Sequence, residues 1–129
     1  MSVLPDHVRA LVEGPNVAHT ATLLPEGAPH SVPVWVGMEG ERIAFLTSPS
    51  CRKARNVARD PRVAISLTVH DRPFTMAAIR GRVVERLDGD PAWAIIDWLA
   101  RKYTGADYGV RSDRSVYLVA VEHSWGQAL

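Results

Sequence analysis

Arg52 and Lys53 follow the segment Thr47-Ser-Pro-Ser-Cys51 and open residues 51–59, which have a helical period and close at Asp60-Pro61. A strand end that feeds a helix start turns backbone N–H groups and the positive end of the helix dipole outward, and Ser48 or Ser50 can cap such a start. Cations are unfavourable there unless an anion is supplied. A partner, an acidic side chain or a phosphate ligand could supply one. The alternative is a basic face left to solvent and screened by salt. Cys51, beside two cations at a helix start, is placed to have a depressed pKa, although a small residue at that position also serves packing.

Other side-chain chemistry is missing from the pattern. His7, His19, His30, His70 and His123 are scattered without metal-ligand spacing, so no metal is expected. There is no nucleophile elbow, Walker loop or Gly-x-Gly-x-x-Gly, and no carboxylate pair at strand ends. If the chain is an enzyme, a bound cofactor must carry the chemistry while the protein orients it in a dry pocket. Trp35 with Pro33, and Phe74 with Met76, are candidates to line that pocket. The same residues would equally suit a subunit interface or a core.

Behind these residues the elements can be read from periodicity. Residues 6–13 place Val8, Leu11 and Val12 on one helical face before Gly14-Pro15 stops them. From residue 17 the period becomes two. Residues 17–24 and 31–38 read as a hairpin around Pro25-Glu-Gly27, with 42–47 as the third strand of a meander. In the second strand Val32, Val34 and Val36 share one face, and Ser31, Pro33 and Trp35 the other. Pro33 cannot donate to a ladder and so belongs at an edge or bulge. Residues 63–69 and 74–87 continue as strands. Asp90-Pro91 starts a helix carrying Ile95, Trp98 and Leu99, Gly105 ends it, and residues 115–122 form a last strand. Six strands with few crossover helices imply a mainly β fold, an antiparallel barrel with helices packed outside.

Composition agrees with one compact domain over residues 1–129. With 47% hydrophobic residues, the chain has enough apolar material for a core, which excludes disorder. Fifteen Lys and Arg against 14 Asp and Glu leave a net charge of +1, without the basic excess of a nucleic-acid binder. The near balance hides a local excess, Arg52, Lys53, Arg55, Arg59 and Arg62 against Asp60. A lone cysteine excludes an internal disulfide. No leader pattern or membrane-length apolar run is present, so a cytoplasmic protein without membrane insertion is expected.

The order Thr-Ala-Thr-Leu-Leu-Pro-Glu-Gly-Ala-Pro-His-Ser-Val-Pro-Val-Trp (20–35), Ile-Ala-Phe-Leu-Thr-Ser (43–48) and Arg-Lys-Ala-Arg-Asn-Val-Ala-Arg-Asp-Pro-Arg-Val (52–63) resembles the pyridoxamine 5′-phosphate oxidase-like split-barrel superfamily. Within it the resemblance is to the actinobacterial deazaflavin branch, the F420-dependent reductases. Arg80-Gly-Arg-Val-Val-Glu85 and Lys102-Tyr-Thr-Gly105 extend it, so that it spans roughly residues 10–124.

The resemblance implies a six-stranded, FMN-binding-like split β-barrel that forms a homodimer, with flavin or deazaflavin in grooves at the interface. It implies that Thr47, Ser48, Arg52 and Lys53 hold the cofactor phosphate, with Asn56 supporting from the next helical turn. Ser31, Pro33, Val34 and Trp35 would lie against the ring. Phe74 and Met76 would face the substrate end from the other subunit, and Lys102 and Tyr103 would approach the groove. Residues 43–46 lack the extra basic residues of FMN-dependent oxidases, and no C-terminal extension follows Trp125-Gly-Gln-Ala-Leu129, so vitamin B6 oxidation is not expected. The implied activity is hydride transfer from reduced F420 to an electron-poor, unsaturated small molecule. The alternatives are an FMN- or FAD-binding oxidoreductase of the same fold, or a protein that binds F420 without turnover.

Overall fold

In the computed structural model, which describes residues 3–129, the elements run in the order α1 (Asp6–Glu13), β1 (Ala18–Leu23), β2 (Pro29–Val34), β3 (Val36–Glu39), β4 (Arg42–Thr47), α2 (Arg52–Arg59), β5 (Arg62–Val69), β6 (Arg72–Leu87), α3 (Gly89–Thr104) and β7 (Ser115–Gln127). Met1 and Ser2, part of the segment read as lacking a leader, lie outside the described residues. The strands form one antiparallel sheet in the order β2-β1-β5-β6-β7-β4-β3.

The strand expected over 31–38 is therefore two strands, and the described sheet has seven strands rather than six. β2 and β3 form opposite edges of the sheet, yet only Trp35 separates them. Consecutive Cα atoms lie about 3.8 Å apart, so the two edges must be brought together at this residue. The sheet curls accordingly, and since β2 and β3 do not pair, its hydrogen-bond ladder stays open at that seam. The meander is split for the same reason: β1 pairs with β2 at one edge, and β3 with β4 at the other. Pro33 lies on an edge strand, where its missing N–H breaks no ladder on the outer side.

Period-two patterning decides which residues enter the curl. In β5, Val63, Ile65 and Leu67 are buried while Arg62, Ala64, Ser66 and Thr68 are exposed. Their side chains join Val34, Val36, Ile43, Phe45, Ile79, Val119 and Val121 in the main core, which Val8 and Val12 of α1 and Ala54 and Val57 of α2 complete. Each fully buried Val, Leu or Ile contributes about 1.5–3 kcal/mol. A second core lies on the other face of β4 and β7, where Ala44, Val116 and Leu118 meet Ala92, Ile95, Ile96 and Leu99 of α3. These two strands are buried on both sides, so 115–119 reads as a continuous buried run.

Local details differ from expectation where tertiary partners compete. Helix α3 starts at Gly89, with Asp88 at the N-cap position rather than Asp90. The Asp88 carboxylate does not cap. It accepts hydrogen bonds from Ser115 Oγ at 2.5 Å and Arg86 Nε at 3.0 Å, tying α3 to the start of β7. Gly105, at φ 82°, closes the helix in the left-handed conformation. Strand β7 runs to Gln127 rather than stopping at 122, because the first half of β6 needs a partner: Ala77 and Ala78 face Gly126 and Trp125.

Gly81 sits where the β6/β7 register shifts, and a Cβ there would meet the Ala120 carbonyl oxygen at 2.2 Å. The obstacle is backbone, which cannot swing aside. Gly81→Ala is expected to lower stability by about 2 kcal/mol or more, read as a fall in urea midpoint at an unchanged slope.

Candidate functional site

The start of α2 is built by the end of β4. Thr47 pairs with Ser115 across the ladder, and the turn over 48–51 then delivers Cys51 as the N-cap residue. The cap is thus the thiol, rather than Ser48 or Ser50. Cys51 Sγ accepts from the Ala54 N–H at 3.5 Å and lies 3.1 Å from Thr47 Oγ1. Burial raises the thiol pKa, but the Thr47 hydrogen bond, the Ala54 N–H and the Lys53 charge outweigh it, and the net direction is downward as expected. Because the thiol already occupies part of the helix start, an incoming anion there would depend mainly on side chains.

Lys53 is the unusual one. It is only 9% exposed, and no carboxylate or carbonyl among the described residues takes its ammonium; the Phe45 ring centroid lies 5.9 Å away. Burial lowers its pKa, with Cys51 partly opposing. An ammonium on a largely buried side chain is poorly solvated, and a ligand anion in the groove would offset that cost. Its side chain lines a groove of about 330 Å³ together with Pro33, Val34, Trp35, Leu46 and Tyr108. Arg52, one residue earlier, is partly exposed.

The wall of this groove is set by aromatic packing. Trp35 stacks on Tyr103, with ring centroids 5.3 Å apart and planes 7° from parallel, and meets Tyr108 edge-on at 6.0 Å. The Tyr103 hydroxyl donates to the Asn16 carbonyl at 2.7 Å and accepts the Val36 N–H at 3.2 Å. Lys102 Nζ donates to the carbonyls of Val12, at 2.9 Å, and Val36. Lys102 therefore does not open into the groove. It fastens α3 to the end of α1 and to the first residue of β3, behind the Trp35 wall.

The sequence-expected residues do not all come together. Pro33, Val34, Trp35 and Lys53 come together in one groove, and Thr47, Ser48 and Arg52 stand at the α2 start beside it. Asn56 faces inward: it is fully buried, its amide donates to Thr22 Oγ1 at 3.0 Å, and it anchors α2 to β1 without reaching the groove. Ser31 opens on a different depression of about 480 Å³ on the outer sheet face, with His19, Arg80, His123 and Trp125. Phe74, 64% exposed, and Met76 lie at the start of β6 and do not line the groove in this chain.

Tyr108 was missed by sequence reasoning. It lies in an irregular segment, where no periodicity points to it, and Asp97 positions it by accepting its backbone N–H at 3.0 Å. Among the described residues no group of three or more His, Cys, Asp or Glu gathers as metal ligands, and no helix is long and apolar enough to cross a membrane.

Residues 4–128 match the sequence pattern of the family described as pyridoxamine 5′-phosphate oxidase. The chain belongs to that family. Among solved structures similar to this member, one named F420 Reductase superposes with a TM-score of 0.84 at 28% identity, covering 96% of this chain and 100% of its own. A conserved hypothetical protein of Mycobacterium tuberculosis gives 0.74 at 22% identity, with 96% and 86% covered. HupZ of Group A Streptococcus gives 0.71 at 14% identity, with 96% and 94% covered, and these two speak to fold alone. No curated protein matches significantly in sequence. The family and the F420 Reductase together support an oxidoreductase of the flavin or F420 type.

The Lys102 fastening has a pH signature. Burial lowers its pKa from 10.5 to about 8, with Glu13 partly opposing. Between those values the unfolded chain holds a proton that the folded one has released, so stability rises with pH across that window, while below about 8 the cost of burying the ammonium is fully present. The wild-type unfolding free energy is expected to rise by about 1–2 kcal/mol from pH 8 to 10 relative to Lys102→Met, measured by urea denaturation.

Proposed function

We propose that this protein is an F420-dependent reductase. The observation that carries the reading is the largely buried Lys53, whose ammonium has no anionic partner, in a groove walled by Pro33, Val34 and Trp35. That combination fits a flat ring system bearing a phosphate, and the 28% identical F420 Reductase supports the same branch. When bound, reduced F420 supplies a hydride to an electron-poor, unsaturated small molecule.

The chain's own residues bind and orient. Lys53 and Arg52 take the phosphate beside Thr47 and Ser48 and fix the register of the ring. Trp35 and Pro33 present an apolar face and exclude water. Trp35 lies outside both ladders, so its N–H is not committed to strand pairing and can meet charge on the ring edge. Two copies pair as a cytoplasmic homodimer, with the Ser31 face at the ring and Phe74 and Met76 of one copy completing the substrate end of the other's groove. Solvent protonates the product.

FMN or FAD in the same groove is the competing reading, because the family name denotes an oxidase. Side-by-side titrations with F420, FMN and FAD decide between them, read by polarisation and absorbance. Tightest binding is expected for F420, in the micromolar range, and failure of F420 to bind would sink the proposal. Lys53→Ala is expected to weaken F420 binding at least about tenfold, since it removes a charge-assisted contact in a buried setting. Consumption of reduced F420 with an enone, quinone or nitro compound separates an enzyme from a protein that only binds the cofactor.

A further inference from the structure

The anion site has an acidic neighbour that the sequence did not bring into view. Residues 105–114 join α3 to β7 as an irregular strap, and since Thr47 pairs with Ser115, the end of the strap runs alongside Ser48. There Ser48 Oγ donates to Asp113 Oδ2 at 2.8 Å and lies 3.0 Å from Ser50 Oγ. No Lys or Arg forms an ion pair with the Asp113 carboxylate among the described residues. The guanidinium of Arg114 is directed elsewhere, donating to the Asp113 carbonyl at 2.7 Å and to the Tyr108 hydroxyl at 3.1 Å.

Asp113 cannot easily leave. Arg111 bonds the Asp97 carboxylate at 2.7 and 3.2 Å and the Tyr108 carbonyl at 3.0 Å, which holds the middle of the strap on α3, while Ser115 holds its end in β7. Asp113 itself has φ 56°, a left-handed conformation that Asp and Asn tolerate better than most residues. A single negative charge is thereby fixed on the hydroxyl of Ser48, at the head of the helix whose second residue is the buried, unpaired Lys53.

We propose that Asp113 is a specificity-determining residue that makes the anion site select a phosphodiester over a terminal phosphomonoester. This rests on the cofactor reading above and goes further in explaining why F420 is preferred to FMN. The phosphate of F420 is a diester and carries one negative charge. That of FMN is a monoester carrying about −1.5 to −2 at neutral pH. The cations at the α2 start suffice for one charge, and each further charge on a group at Ser48 meets the Asp113 carboxylate, which is exposed but held 2.8 Å from the Ser48 hydroxyl, well inside a Debye length.

The test holds the ring constant. FMN and its mono-methyl phosphate ester share the isoalloxazine and differ by the one ionisation, so their affinity ratio reads charge selection directly. Wild type is expected to bind the methyl ester at least about fivefold more tightly than FMN, and Asp113→Asn to bring the two within about twofold of each other by strengthening FMN. The asparagine keeps an acceptor for Ser48 and tolerates the left-handed backbone. F420 affinity should change less than about twofold. An unchanged ratio in Asp113→Asn, or equal strengthening of all three ligands, overturns the proposal.

A second measurement keeps it separate from the cofactor reading. Backbone amide shifts at Ser48 and Lys53 are followed by NMR during titration with inorganic phosphate, mostly dianionic at pH 7.5, and with dimethyl phosphate, a monoanion. Asp113→Asn should respond to inorganic phosphate at a several-fold lower concentration than wild type, with dimethyl phosphate unaffected. If that difference appears while no ring ligand binds, the cofactor reading fails and the charge selection stands. If phosphate responses match in both proteins, the charge selection fails.

Discussion

The crossing at Trp35 is the constraint on which the rest of this structure depends. A single residue joins β2 and β3, the two outermost strands of a seven-stranded sheet, so the sheet has no option but to curl until its edges meet. The curl creates the interior that Val34, Val36, Ile65 and Ile79 fill, and it puts an indole on the outside of the seam. An open seam exposes backbone groups that a closed ladder would satisfy. Here α3 supplies partners, since the Tyr103 hydroxyl takes the Val36 N–H and Lys102 serves the Val36 carbonyl. The groove wall is in this sense a by-product of closing the sheet.

Electrostatics around α2 follow from the same geometry. The helix starts where β4 leaves the sheet, and a thiol rather than a hydroxyl meets its first N–H groups. Lys53 then lines the groove beside Trp35, largely buried and with no carboxylate bonded to its ammonium. Opposite charge is present but directed to Ser48, through Asp113 on a strap fixed by Asp97 and Arg111. A chain with a formal charge of +1 thus holds a locally uncompensated cation and a locally uncompensated anion within one short stretch of surface.

Some of this was legible in advance because its cause is local. Period-two alternation in 63–69 gave β5, the Gly105 stop gave the end of α3, and the Arg52-Lys53 pair flagged the helix start. What was misread involved competition from distant residues. The start of α3, expected at Asp90, lies one residue earlier at Gly89, behind an Asp88 whose carboxylate is taken by Ser115, 27 residues away in sequence. Asn56 turned from the presumed phosphate site to Thr22 on β1, and Lys102 from the groove to the carbonyls of Val12 and Val36. A polar side chain on a helix has the same local pattern whether it faces solvent, ligand or core.

By itself, then, the sequence determined the kinds of element, the face of each that is apolar, the family, and the helix start that carries Arg52 and Lys53, since all of these depend on residue type and near-neighbour spacing. Only the tertiary structure decided that one apparent strand is two, that Lys53 is buried without a partner, that Tyr108 joins the groove, and that Asp113 stands beside Ser48. Those facts depend on which elements the curled sheet brings together, and contacts across 65 residues of chain, as between Ser48 and Asp113, leave no periodic trace.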